Sequence, residues 1–258
     1  MSKKIERIGE INESKKCGPM VILEYNNTGN IKIKFLETET VQNTSYINFK
    51  KGMVRDPMCK NIVGIGCLGI GEYKPTTNGK MNRYYRIWNH MLDRCVINLN
   101  RDCTVRDKSR TYRDVVVCEE WLNFQNFAKW YEKNYYEIPN KTMHLDKDIL
   151  IKNNKIYCST HCSFVPSNIN NLFVKSNKIR GVYPIGTCFN KIKNKYESKL
   201  KIKGKTTHLG LYNTPEEAFE VYKYAKERYI KAMADKYKEW LPQNVYEALY
   251  SYQVDITD

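Results

Sequence analysis

The chain lacks an apolar run of signal-peptide length at its start, where "MSKKIERIGE" is charged, and no later apolar stretch approaches about 18 residues. A secretory leader and a membrane-spanning helix are therefore not expected, and a soluble, cytoplasmic protein is. No Cys-x-x-Cys pair occurs. The nine cysteines are odd in number and scattered, which excludes a disulfide framework or a zinc ribbon. Cys158, His161 and Cys162 cluster as half of a zinc site, but no second half is visible. Ordinary buried thiols in a reducing compartment are the better reading, and a structural zinc is not expected. Internal repeats and low-complexity tracts are also missing, so the chain is neither a solenoid nor a disordered segment.

What is present suits folded domains. The 258 residues suffice for one large domain or two to three small ones, and 41% hydrophobic residues with 20 Tyr supply core material. The formal charge is +15. It is unevenly spread: residues 175–205 hold ten Lys or Arg and a single acid, Glu197. A charge run is usually a solvated face. One this concentrated points to nucleic acid, because each neutralised phosphate releases counterions. An anionic membrane surface fits less well, since the run lacks an amphipathic helical face.

Along the chain the expected class is α+β. Residues 1–62 read as a small SH3-like β-barrel module, with strands at "MVILEY", "NIKIKF" and "SYINF" and a turn at "NNTGN". The Gly-rich segment 63–80 reads as a linker. Residues 81–177 open with a helix in which Tyr84, Trp88, Met91, Cys95 and Leu99 recur at helical spacing. A second helix follows, with Trp121, Phe124, Ala128, Tyr131 and Tyr135 in the same rhythm. Such tryptophans are core residues rather than base-stacking platforms. Residues 178–258 give three strands and a helix. Thr214 suits its N-cap and Pro215 its first turn, with Glu216 and Glu217 at the positive end of its dipole.

Two stretches carry chemistry. In "MHLDKDIL", strand alternation puts His144, Asp146 and Asp148 on one side and Met143, Leu145 and Ile149 on the other. The stretch "YCSTHCSFVP" follows, then "SNINNLF", completing a β-β-α unit. The bland reading is the wet face of a half-buried strand. The sharper one is a metal-assisted hydrolytic centre, in which an imidazole takes a proton and a carboxylate holds a cation. In "KYESKLKIKG", Glu197, Lys199, Lys201 and Lys203 alternate with Tyr196, Ser198, Leu200 and Ile202.

The stretch "GVY…KYESKLKIKGKTTHLGLYNTPEEAFEVYKYA" closely resembles the Apetala-type DNA-binding domain, a three-stranded sheet backed by one helix. Gly181-Val182, Leu209-Gly210, Thr214 and residues 216–218 occupy its signature positions. The pieces "IWNHMLDRC", "VCEEWLNFQNFAKW", "HLDKDI", "CSFVP" and "NINNL" resemble the HNH (His-Me finger) endonucleases of phages and mobile elements. The resemblance implies a homing-type nuclease that hydrolyses duplex DNA with Mg²⁺ or Mn²⁺ inside a bacterial host cell. It implies His144, Asp146, His161 and Asn170 as catalytic residues, and Asp146, Asp148 and His161 as metal ligands. His161 stands where relatives place the central Asn. For DNA contact it implies the exposed sheet face, with Arg180, Lys191, Lys193, Lys199, Lys201, Lys203, Lys205 and His208. That sheet contains no Arg, the usual base reader, so its lysines mostly hold phosphates. In the usual motif a His follows the strand Asp, and here Lys147 holds that place. A protein that binds DNA without cutting it, as a regulator or host-defence antagonist, therefore stands beside the enzyme. The N-terminal module could touch DNA or a protein partner.

Overall fold

The computed structural model describes residues 6–96, 114–174 and 182–258. Arg180 and Leu99, both singled out from the sequence, lie outside the described residues. The chain is mixed α+β and divides into two compact units, Met1–Asn134 with Lys155–Thr160, and Tyr135–Asn154 with His161–Asp258. No helix among the described residues is long and apolar enough to cross a membrane.

The first unit begins with strands β1 (Ile11–Ser14), β2 (Gly18–Asn27), β3 (Asn30–Phe35) and β4 (Val41–Thr44). They form an antiparallel meander in the order β1-β2-β3-β4, and no barrel is closed among the described residues. Met20, Ile22, Ile31, Ile33 and Phe35 alternate onto one face and pack with Phe49. Burying each such side chain contributes roughly 1.5–3 kcal/mol. "SYINF" is not a strand. It is helix α1 (Tyr46–Lys50), because Ser45 caps it by accepting from the Asn48 N–H. The apolar residues that suggest a strand sit on a single helical turn.

After the two-residue strands β5 (Thr76–Thr77) and β6 (Lys80–Met81) comes α2 (Arg83–Val96), followed by the short strand β7 (Val116–Val117) and helix α3 (Phe124–Asn134). Trp88, Met91 and Cys95 are buried as their spacing predicts. Trp121 lies before α3, on a 3₁₀ turn over Glu119–Leu122, and its carbonyl accepts from Trp88 Nε1 at 2.7 Å. The expected single helix is broken at Asn123, whose Oδ1 accepts from the Gln125 N–H and ends the 3₁₀ turn. Gln125 then fastens the Gly-rich segment, donating to the carbonyls of Leu68 and Tyr73 and accepting from the Tyr73 N–H.

The chain next enters the second unit for β8 (Met143–Asp146), returns for β9 (Ile156–Tyr157), and goes back for β10 (Ser163–Pro166). In the first unit β7 and β9 pair in parallel. In the second, β8 and β10 pair antiparallel, and helix α4 (Ser167–Asn170) follows. Strands β11 (Thr187–Asn190), β12 (Lys195–Ile202) and β13 (Lys205–Tyr212) form a three-stranded antiparallel sheet, backed by α5 (Pro215–Lys236) and followed by α6 (Gln243–Tyr250). The start signals of α5 act as read, with Thr214 at the N-cap and Pro215 in the first turn; Glu217 does more than complement the dipole, forming a reciprocal capping box with Thr214. Leu200 packs on Phe219 and Tyr222.

Gly186 sets how closely β11 approaches α5. Its φ is +78°, and a Cβ there would lie 2.0 Å from the Tyr222 ring. Gly186→Ala should therefore combine backbone strain with overpacking, a loss of about 3 kcal/mol. The midpoint of urea unfolding measures it.

Candidate functional site

The β8–β10 hairpin pairs Asp146 with Ser163, Leu145 with Phe164, His144 with Val165 and Met143 with Pro166. It is anchored from below. Phe164, Val165 and Ile169 are fully buried, and Tyr136 donates its hydroxyl to the Phe164 carbonyl at 2.6 Å. The Ser167 N–H donates to the Thr142 carbonyl, so α4 starts directly off the hairpin end. Met143 and Leu145 point inward, whereas His144 is exposed and Asp146 half-buried, as strand alternation requires.

Strand β8 ends at Asp146, and Asp146 itself ends it. Its Oδ1 accepts from the Asp148 and Ile149 N–H groups, each at 2.7 Å, which curls the backbone out of the extended conformation. Asp148 is thus not a third residue on the strand face, contrary to the sequence expectation. Both of its oxygens accept from Lys147 Nζ at 2.8 Å. Lys147 is only 7% exposed, and Nζ also donates to the Asn154 carbonyl at 2.8 Å. Asn154 closes the loop by donating to the Lys147 carbonyl. Lys147 is therefore turned inward and bound up in the loop.

Among the described residues Asp146 Oδ2 receives no hydrogen bond. Burial pushes the Asp146 carboxyl above its ordinary value, and the two N–H donors only partly oppose this. His161 precedes Ser163, the partner of Asp146, by two residues, so it belongs to the same end of the hairpin. Its Nδ1 is shut off from solvent and has no hydrogen-bond partner. Asn170 is the last residue of α4 and is half-buried. No cluster of three His, Cys, Asp or Glu side chains is close enough to share an ion among the described residues.

One contact here has no local sequence signal. Lys152, in the loop after β8, donates to the Gln253 carbonyl at 3.0 Å and to Asp258 Oδ2 at 2.8 Å, and lies over the Tyr252 ring. The partners are 101 and 106 residues apart in sequence, which no pattern of periodicity or capping reports.

On the C-terminal sheet, Ser198 and Leu200 face the helix, while Glu197, Lys199 and Lys201 face away. The predicted alternation holds only to Ile202. Lys203 and Gly204 form a two-residue hairpin turn with φ of +48° and +84°, so Lys203 stands at the sheet tip, not on the strand face. Gly204 supplies the left-handed conformation this turn type demands. Lys205 pairs with Ile202 and so belongs to the helix-side register. Lys191 and Lys193 are exposed in the turn between β11 and β12, where Asn190 Oδ1 accepts from the Ile192 and Lys193 N–H groups. Glu197 accepts from Lys199 Nζ and pairs with His208 Nδ1, both at 2.7 Å. The Lys199 ammonium holds the Glu197 carboxyl below its ordinary value, and Glu197 in turn raises Lys199. Against known proteins, no family model, no curated protein and no solved structure matches this chain.

Proposed function

We propose that this protein is a metal-dependent endonuclease of the HNH type that acts on duplex DNA. The carrying observation is the half-buried Asp146, which has an oxygen without a hydrogen bond at the hairpin end it shares with the orphaned Nδ1 of His161. A carboxylate oxygen and an imidazole nitrogen are donor types that a small divalent ion accepts. Mg²⁺ or Mn²⁺ needs only one or two protein ligands when water and substrate phosphate complete its shell. Bound there, the cation would neutralise charge growing on the leaving oxygen. His144, exposed on the Asp146 side of β8, takes the proton from the attacking water. Asp148 supports the loop through Lys147, and Asn170 closes the helix that backs the hairpin.

Incubating supercoiled plasmid with Mg²⁺ or Mn²⁺, and in parallel with EDTA, tests this reading. Nicked or linear product should form with metal and vanish with chelator. Intact plasmid under every condition sinks the enzyme. One observation favours a second reading, a DNA-binding regulator or host-defence antagonist without cleavage: the position of the usual base is taken by the inward-turned Lys147.

Both readings use the basic sheet for docking on DNA. Lys191, Lys193 and Lys201 are exposed there with no acid beside them in sequence. Changing all three to Ala should weaken binding about equally on every duplex and flatten its salt dependence, by roughly 0.9 in slope for each phosphate no longer neutralised. Titrations at several salt concentrations measure the slope; unchanged slopes place these lysines away from DNA.

A further inference from the structure

The outer face of the sheet carries one arrangement that simple alternation would not produce. Ser198 pairs with Gly210, but the next residue, Lys199, pairs with His208, so Leu209 is an extra residue on β13. This bulge sends Leu209 into the core against α5 and re-aims His208 to the open face. Without it, Lys199 would face Leu209 and His208 would turn toward the helix. The bulge thus delivers an imidazole to the one carboxylate on a lysine-rich face. Between residues 182 and 212 the chain has seven Lys and a single acid, Glu197. Glu197 sits on this open face, yet its side chain is only 13% exposed, because Lys199 and His208 close over it. One oxygen takes Lys199 and the other takes His208, both at 2.7 Å, with the Cys188 thiol on the β11 side.

We propose that Glu197 is an intramolecular stand-in for a DNA phosphate, which holds Lys199 and His208 back and limits the grip of this face on duplex DNA. The inference rests on the reading of the sheet as a DNA-docking surface. A backbone phosphate presents the same pair of anionic oxygens, so it competes for the same two donors. Side-chain pairs on an open face are held weakly enough to exchange. Because Glu197 satisfies these donors in the free protein, binding gains less than the lysine count suggests. A restrained grip also lets the protein leave DNA that offers no further contacts. The side chains that Glu197 meets, Lys199, His208 and Cys188, all belong to the sheet and not to the hairpin that holds the candidate metal ligands.

The test is fluorescence anisotropy of the full chain on a labelled duplex of arbitrary sequence, titrated at several KCl concentrations. Glu197→Gln is nearly isosteric and removes only the charge; Glu197→Ala is the second variant. Both should tighten binding by roughly three- to tenfold at low salt and steepen the salt dependence by about 0.9, the increment for one more neutralised phosphate. In a Lys199→Met/His208→Gln background the same changes should have no such effect. Weaker or unchanged binding in both Glu197 variants overturns the proposal, since a merely structural Glu197 behaves that way. Tightening that persists without Lys199 and His208 overturns it too, as a general charge effect. If the unaltered chain binds no duplex at any salt concentration, the DNA reading itself fails, a result distinct from the other two.

Discussion

Replacing Asp146 with Asn should abolish metal-dependent cleavage, by about 10³-fold or more, while duplex affinity stays within a few fold. Several kcal/mol of transition-state charge stabilisation leave with the cation, and each 1.4 kcal/mol is roughly a factor of ten. Asn is the informative substitution because Asp146 does two things. Its Oδ1 caps the loop by accepting from Asp148 and Ile149, a task an amide oxygen can continue. Ala would release both N–H groups and confound lost chemistry with a loosened loop. Plasmid cleavage and anisotropy on the same preparations separate the two effects. Retained cutting by Asp146→Asn moves the metal elsewhere.

The raised carboxyl gives that prediction a second readout. Asp146 binds its proton more tightly in the folded chain than in the unfolded one, where the ordinary value is 3.8. Its contribution to stability is therefore present below that value and is lost as pH rises through the raised one. Where it is ionised, the half-buried Asp146 weakens the fold, and a cation bound to it would offset this. Adding Mg²⁺ near pH 7 should thus raise the thermal midpoint of the unaltered protein and leave Asp146→Asn unmoved. Acid should abolish that difference at a higher pH than an ordinary Asp would allow, because the proton competes with the metal. Differential scanning calorimetry across pH reads this without any cleavage assay.

Periodicity and capping signals are legible because they are local. The alternation of "MHLD" and the Thr214 cap of α5 each lie within a few residues, and the structure places them as read. What the sequence hides falls into two kinds. One kind is a short polar side chain that redirects its own backbone: Ser45 turns "YINFK" into a helix, Asn123 breaks a helix, and Asp146 stops a strand before Asp148. These residues compete with regular structure through one hydrogen bond, and nothing in a hydrophobic pattern reveals which way the competition goes. The other kind is a distant partner. Lys147 is buried because Asn154 and Asp148 receive it, and Lys152 depends on residues at the far end of the chain. Glu197 is visible in the sequence as a lone acid in a basic run. Lys199 shares its face by alternation, whereas His208 becomes visible as a partner only through the Leu209 bulge, which shifts β13 by one residue.

On the proposed nuclease reading the two histidines of the hairpin divide the remaining roles, and a pH profile tells them apart. His144 is exposed on the strand beside Asp146, free to meet water and substrate, as a general base must be. His161 has an Nδ1 closed off from solvent with no donor or acceptor against it, an arrangement that suits a ligand and not a group that trades protons with water. His144→Ala should therefore cost roughly 10²-fold or more in single-turnover rate, with metal-dependent thermal stabilisation intact. The acid limb of the pH–rate profile that reports the base should disappear with it, leaving a rate that rises with hydroxide. His161→Ala should show the opposite pattern: its cleavage should recover in part at high Mn²⁺ concentration, and it should keep the acid limb. Measuring both variants across pH and metal concentration settles the assignment. If His144→Ala cuts at the unaltered rate, His144 is not the base. An acid limb lost only in His161→Ala would then assign the base to His161 and leave Asp146 to hold the metal without it.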